Sequence, residues 1–476
     1  MGFRIIEHMI EAVVGPGADE VEDLTASALL ALARDSKAAE DRAAARLLQV
    51  AAMWADMHPP ESIHTAASFA VPGCEHEEPI AGDGAPLVAE FCIAELGTVL
   101  GISSTAAKKL IGHALELRHR LPRLWDQVHA GTVPAWRARA VAETTIHSSP
   151  SLTAEAAGFV DSQVVAVAGR IGPAQLDRLV VETIRRYDLA TADPSSDPED
   201  GWQHVDPRHV TVDRDDVHYA GTLRIEAEVD IADALDFDRA IAHQAATRAA
   251  LGSTESLHVR RAKALGDLAR TQTAIDLADP GTDSDDLPAA REVVLHAHLD
   301  ASFSGDATVF GPTGRMEHGQ RLVLLEQIRS WCADSRTKVT LKPVIDLNTP
   351  LTAQGYHVPD LVREQVILRD RTCVFPWCTR PARGCDVDHV VEYDHAAEVQ
   401  GRPQPGPTTT DNLACLCRFH HRLKTHSAWR YEMISPGAFV WTSPHGHRYR
   451  RDHTGTTAVD PPDPPDPPAI PRPHRR

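Results

Sequence analysis

The chain reads as a multidomain α+β protein of 476 residues, and three observations predict this class. Apolar side chains recur at spacings of three and four through the Ala- and Leu-rich opening, the mark of packed helices. Farther on, Val210, Val212, Val217, Tyr219, Leu223, Ile225 and Val229, then Val293, Leu295, Ala297 and Leu299, follow the alternation of strands. Between Arg369 and His426 the composition shifts once more, to cysteine and histidine. At roughly 150 residues per domain the length suits about three domains. The expected division is a helical domain over 1–150, an α+β domain over 151–345, a C-terminal module over 346–455 and a tail over 456–476.

Taken in order, the stretch from Asp19 to Met57 has a helical period. Glu95 to Gly112 contains an apolar helix, a break at Gly101, Ser103 and Ser104 as candidate caps, and a second helix bearing Lys108 and Lys109. This outline suits a tight corner between two helices of a bundle more often than a helix-turn-helix that touches DNA. Leu121-Pro122 ends that helix, and the pattern resumes from Trp136 to Thr145. From Ser151 to Asp188 it is helical again, interrupted at Gly172-Pro173, where proline suits a first helical turn.

Thr191 to Gly201 is an acidic, proline-containing linker. A helix from Ile231 to Leu251 should stop at Gly252. A second acidic loop, Asp279 to Pro288, leads into a strand carrying His296 and His298. Such a pair binds a metal only with a third ligand, and otherwise lies on a solvated sheet face. The middle region shows no catalytic motif. From Asp460 onward eight prolines exclude helix and central strand, so an extended, disordered tail is expected.

No run of ~18 uninterrupted apolar residues appears, which excludes a helical membrane span. Glu7 and Glu11 interrupt the apolar start, unlike a secretory signal, and Ile6 stands where a myristoylation signal needs Ser or Thr. A cytoplasmic protein is expected. The net charge of −19 argues against a surface devoted to nucleic acid. The charge is partitioned, however: residues 1–368 carry −22, whereas Arg369 to His453 carry +3 and 8 of the 26 histidines. Contact with DNA or RNA belongs first to that basic stretch.

Five of the eight cysteines, Cys373, Cys378, Cys385, Cys415 and Cys417, fall in the same stretch. Without an export signal, clustering beside histidine points to metal before disulfides. Cys373-x4-Cys378 places two thiolates on one loop, and Cys417-x2-His420 lets a single turn present two more ligands. Three thiolates and one imidazole complete a closed tetrahedral zinc shell, a structural site.

A second constellation overlaps the first. Asp388 and His389 lie in the apolar-flanked run DVDHVV, which reads as a strand, and His421 opens a helix that continues through Lys424. A carboxylate and an imidazole converging from strand and helix can hold one divalent cation with positions left open for a phosphate oxygen and water. His389, pointing away from that cation, can take a proton from an attacking water.

The order Asp388-His389, Asn412, Cys417-x2-His420-His421-x2-Lys424 resembles the HNH endonuclease motif, and more closely the variant with zinc-binding pairs on either side. RDRTCVFPWCTRPARGCDVDH followed by GPTTTDNLACLCRFHHRLKTH is similar to a large group of bacterial HNH-signature proteins with an N-terminal helical domain of unknown function. The likeness is specific over about a hundred residues and looser over 1–345, where LPRLWDQVHAGTVPAWRARAVAE and RRAKALGDLA carry it.

The resemblance implies a ββα-metal fold, with His389 as general base, Asp388 and His421 as ligands of a Mg²⁺ or Mn²⁺ ion, and Asn412 fixing the loop that orients the base. It makes Cys373, Cys378, Cys417 and His420 the structural zinc set. Two features depart from the common pattern: His420 stands where many relatives have a cysteine, and Glu392 to Gly406 is longer than the usual turn. Cys385 and Cys415 match no ligand position.

The expected activity is metal-dependent hydrolysis of phosphodiester bonds in duplex DNA, leaving a 5′-phosphate and a 3′-hydroxyl. Arg418, Arg422, Lys424 and Arg430 are the candidate phosphate contacts. The alternative is a zinc-containing nucleic-acid-binding or scaffold protein without turnover.

Overall fold

The computed structural model describes residues 24–66, 74–149, 151–191, 208–218, 221–278, 291–298, 313–315, 322–333, 337–344, 347 and 349–459. The chain is α+β and about half helical, with a cluster of three cysteines and a histidine near its C-terminal end. The segments expected as the acidic linker from Thr191, the acidic loop from Asp279 and the proline-rich tail fall almost wholly outside the described residues.

The N-terminal part is a helical bundle: α1 (Ala26–Asp56), α2 (Glu61–Ala66), the two-residue strands β1 (Glu77–Glu78) and β2 (Val88–Ala89), α3 (Cys92–Val99), α4 (Ser104–His119), α5 (Pro122–His129), α6 (Ala135–Ile146), α7 (Ala154–Val164) and α8 (Pro173–Thr191). Local chemistry sets the starts. Thr25, Ser103 and Thr153 cap α1, α4 and α7 by accepting a backbone N–H three residues on. Pro122 and Pro173 occupy first turns, where a missing N–H costs nothing.

One apolar core runs from Ala45 to Val180. α7 and α8 pack into this core beyond the expected boundary at 150, with Val160, Val164, Leu176 and Val180 buried. Several buried polar groups pair within it. Asp161 on α7 accepts the N–H groups of Arg123 and Leu124, supplying α5 with a cap from another helix. Glu116 and Arg120, one turn apart on α4, form an ion pair at 2.8 Å with almost no solvent contact. Thr145 and the Gly82 N–H also donate to Glu116, while Arg120 donates to the Leu152 carbonyl.

The helix-turn-helix outline is present as geometry, with Gly101 in the left-handed region (φ 68°) between α3 and α4. Its surroundings suit the alternative of a corner between two helices of a bundle. Ala107 to Leu117 of α4 supplies much of the buried core. Lys108 is paired with Glu78, and Lys109 with Glu143 at 2.6 Å. Gly112 runs so close to Ile80 that a Cβ there would lie 2.2 Å from its carbonyl oxygen.

In the middle region, β3 (His209–His218) and β4 (Thr222–Glu228) form an antiparallel pair, followed by α9 (Ile231–Ala250) and α10 (Leu257–Ala278). Gly252 (φ 93°) follows α9 as expected. Next come β5 (Arg291–His298), β6 (Thr313–Arg315), β7 (Leu322–Leu324), α11 (Leu325–Ala333) and β8 (Thr337–Val344). β5, the strand of the H-x-H pair, runs parallel to β8. Of its two histidine side chains, both outside the described set, nothing is built.

The C-terminal module comprises α12 (Asp360–Asp370), β9 (Asp386–His389), α13 (His395–Val399), β10 (Leu413–Leu416) and α14 (Arg418–His426). β9 and β10 are antiparallel, with Asp388 opposite Ala414 and His389 opposite Leu413. A four-stranded meander follows, β11 (Arg430–Ser435), β12 (Ala438–Thr442), β13 (Arg448–Asp452) and β14 (Gly455–Val459). β14 moves the start of the expected tail from 456 to 460. The module's core is aromatic, with Phe375, Trp429, Phe439 and Trp441 buried, and it takes in Phe91 and Ala94 from the bundle. Among the described residues no helix is long and apolar enough to cross a membrane.

Candidate metal centre

The loop from Cys373 to Cys378 leaves α12 through Arg371 in the left-handed region (φ 63°) and turns again at Trp377 (φ 56°). The Cys378 N–H donates to the Phe375 carbonyl at 3.1 Å, and Trp441 Nε1 pins the Val374 carbonyl at 2.9 Å, so the loop is held from both ends. Cys417 occupies the position before α14, and His420 stands on its first turn. The helix begins at Arg418 rather than His421, which is why a cysteine and a histidine three apart share one face.

The ligand atoms of Cys373, Cys378, Cys417 and His420 all lie within 4.8 Å of one another. Tetrahedral zinc with Zn–S bonds of ~2.3 Å separates its sulfurs by about 3.7 Å, so the set can hold a zinc ion. His420 turns Nδ1 to the thiols, 3.2 Å from Cys417 Sγ and 3.5 Å from Cys373 Sγ. Phe375 stacks on its ring at 3.8 Å. Cys415, whose thiol burial pushes well up, is not among the four clustered ligands.

The second constellation lies on either side of β9. Successive strand residues face opposite ways, so Asp386 and Asp388 share the face toward α14 while His389 takes the other. His421 bridges the two carboxylates, with Nε2 3.2 Å from Asp388 and Nδ1 2.9 Å from Asp386. The Asp388 and Asp386 carboxylates together raise its basicity. Burial works to push the Asp388 carboxyl up, but His421, Lys424 and Tyr431 outweigh it and hold the group below its ordinary value. Asp386 was missed from sequence; its signal was the i, i+2 spacing to Asp388.

His389 is buried and lies under Tyr356, whose ring stacks on it at 5.3 Å. Its Nε2 sits 3.0 Å from Thr408 Oγ1, and that hydroxyl donates its one proton to the Gly355 carbonyl at 2.6 Å. The hydroxyl can therefore only accept from His389, which places the ring proton on Nε2 and leaves Nδ1 as the lone-pair nitrogen. Burial, with Lys424 and His395 adding to it against the pull of Asp388, lowers the basicity of the ring. Asn412 accepts the Val391 N–H and donates to the Val391 and Pro407 carbonyls, tying both ends of the long 391–407 loop to the start of β10. Pro407 adjoins Thr408, so Asn412 anchors the segment that carries the hydrogen-bond partner of His389.

The four basic candidates separate. Arg422 faces the bundle, gripping Glu90 at 2.8 and 3.1 Å and the Cys74 carbonyl. Lys424 is likewise turned inward, 3.2 Å from Asp388 and 3.1 Å from the His389 carbonyl. The reason is common to both: α14 is wedged between the bundle and β9, leaving few positions for solvent. Arg418 is exposed, with Asp386 at 3.3 Å. Arg430 is exposed and has no ion pair among the described residues. A further trio, His76, Glu78 and Glu90, also brings its ligand atoms within 4.8 Å, but Lys108 and Arg422 already neutralise the two carboxylates.

The family model described as "Domain of unknown function (DUF222)" matches residues 65–370. An uncharacterized protein of Mycobacterium tuberculosis H37Rv is 28% identical over 334 residues, which cover 61% of this chain and 56% of that protein. A second uncharacterized protein of the same strain is 37% identical over 125 residues, 26% of this chain and 20% of that protein. The chain thus spans about half the length of the first relative. No solved structure matches.

Proposed function

The chain belongs to the DUF222 family, which occurs in HNH-containing bacterial proteins, and from that premise we propose that its C-terminal module is a metal-dependent HNH endonuclease acting on DNA. The observation that carries the reading is the disposition of three side chains about β9–β10–α14. Asp388 and His421 converge on one side of β9, and His389 presents an unprotonated nitrogen on the other.

The 3.2 Å between Asp388 Oδ1 and His421 Nε2 suits neighbouring ligands of one cation with bonds of ~2.1 Å, whose separation is about 3 Å. Asp388 and His421 would hold that ion, Mg²⁺ or Mn²⁺, which would supply positive charge to a phosphate group. His389 Nδ1 takes the proton of the attacking water, and its Nε2–H stays on Thr408 throughout. Arg418 and Arg430, the two exposed candidates, carry the phosphate backbone. The products are a 5′-phosphate and a 3′-hydroxyl.

One observation favours a second reading, a zinc-containing nucleic-acid-binding or scaffold protein without turnover. Asp388 is already bonded by Tyr431 at 2.8 Å and Lys424 at 3.2 Å, as a purely structural carboxylate would be. Nicking of supercoiled plasmid separates the two readings. The nuclease reading expects cleavage by the parent with Mg²⁺ or Mn²⁺, none with EDTA and none by His389→Ala. A parent that binds DNA without nicking under all metals supports the second.

A further inference from the structure

The metal centre is completed from outside its own module. With His420 Nδ1 turned to the thiols, the other ring nitrogen, Nε2, lies 2.9 Å from Ser104 Oγ, 316 residues away in sequence. Ser104 is the first residue of α4, but the cap of that helix is Ser103, which accepts the Ala106 N–H. The Ser104 hydroxyl thus has no helix-capping duty. When Nδ1 is given to a metal, the neutral imidazole keeps its proton on Nε2 and donates it to Ser104 Oγ. A partner on the distal nitrogen fixes the tautomer and ring plane of a metal-bound histidine. His420 is 2% exposed, so that serine takes the place of water.

The surrounding contacts hold the two parts together at this point. A Cβ on Gly101 would stand 3.7 Å from the Trp377 ring of the ligand loop. Arg422, two residues past His420, grips Glu90, and His445 pairs with Glu95 at 2.9 Å. Phe91 packs on Phe419, the neighbour of His420, with ring centres 6.2 Å apart.

We propose that Ser104 is a positioning residue for the Cys373, Cys378, Cys417 and His420 centre, and that through it the DUF222 bundle and metal retention are coupled. Docking of the bundle presents the hydroxyl that strengthens metal binding and slows metal loss, and reciprocity of binding free energies requires bound metal to strengthen docking by the same factor as docking strengthens metal binding. The inference rests on the metal centre and not on the nuclease reading, so DNA cleavage has no part in its test.

The test uses the full chain loaded with zinc, together with Ser104→Ala and Ser104→Thr. Alanine is well accepted at a first helical position, so α4 should form in both variants. Transfer of zinc to an excess of chromogenic chelator is expected to be about 10- to 100-fold faster from Ser104→Ala, the range typical for loss of a partner behind a metal ligand. Ser104→Thr keeps the hydroxyl and should stay near the parent. In the parent, chelating the zinc should raise hydrogen exchange at residues 107–111 of α4. Equal release from parent and Ser104→Ala, equally fast release from both variants, or α4 exchange unchanged on chelation would each overturn the proposal. A parent that takes up no zinc removes the centre itself, and the proposal with it, whatever the chain does to DNA.

Discussion

Thr408 Oγ1 stands between His389 Nε2, at 3.0 Å, and the Gly355 carbonyl, at 2.6 Å, and this chain of donors decides which imidazole nitrogen is free. Thr408→Val keeps the volume and removes the acceptor, so the buried Nε2–H loses its partner and the ring can turn or change tautomer. General-base catalysis contributes about 10²- to 10⁴-fold, and partial loss of it should lower nicking by ~10- to 100-fold. Thr408→Ser should restore most of the rate. Single-turnover nicking with the three proteins checks this, and a fully active valine variant counts against the tautomer argument.

The cysteine–histidine centre predicts about one zinc per chain after purification, because such shells contribute of order 10 kcal/mol to small zinc modules at neutral pH. Cys373→Ser or Cys378→Ser should lose the zinc and the fluorescence of the packed Trp429 and Trp441, while most of the helical circular dichroism of the bundle survives. Elemental analysis of folded, reduced protein without zinc would reject the assignment.

Glu116 and Arg120 make a stability prediction independent of either metal. Removing one member of a buried ion pair strands the other, at a typical cost of about 3–5 kcal/mol. Arg120→Met should therefore lower the melting temperature of the bundle markedly, leaving Glu116 with Thr145 and the Gly82 N–H as its remaining donors. Replacing Glu116 and Arg120 together by Gln and Met should cost less than the single changes summed. Denaturant melts of the two single variants and the double variant test the coupling.

His113 predicts a pH effect. Burial lowers its basicity, opposed by the hydrogen bond to Glu143 at 2.6 Å, and the neutral ring is the folded form near neutrality. The unfolded chain binds the proton more tightly, so protonation favours unfolding. Stability from this residue is present above the ordinary histidine value of about 6.5 and falls as pH drops below it toward the lower folded value. His113→Gln should flatten melting temperature against pH over that acid interval. An unchanged slope would show that other groups govern it.

Local signals were legible in the sequence. Cys373-x4-Cys378 and Cys417-x2-His420 each lie within one turn of chain, and Ser103 and Gly101 mark a helix start and a corner by their own chemistry. What a residue faces was not legible. Arg422 and Lys424 read as solvent cations because sequence does not say that α14 is wedged between bundle and strand. The Ser104–His420 contact joins residues 316 apart, beyond any periodicity. The helical period of α7 and α8 was plain, yet period alone does not tell which core a helix joins. β11 to β14 carried too little alternation to be read, since β12 is buried on both faces along most of its length.

The last prediction separates catalysis from architecture within one helix turn. His389→Ala should abolish nicking with zinc content unchanged, because the ring touches neither His420 nor any thiol. Its stability cost should be that of losing the Tyr356 stack and the Thr408 hydrogen bond, not that of losing a metal. His421→Ala should also abolish nicking, by removing one of the two groups proposed for the divalent cation. Because Asp388 and the newly released Asp386 remain beside the gap, excess Mn²⁺ should restore part of the rate. His420→Ala should instead lower zinc occupancy and stability, since its Nδ1 lies among the thiols 3.2 Å from Cys417 Sγ. If His421→Ala loses zinc while His420→Ala keeps it, the two roles are exchanged and the register is wrong by one residue. If all three variants nick like the parent in material free of contaminating nuclease, the module is not an HNH nuclease, and the zinc centre stands as the organising feature of a binding protein.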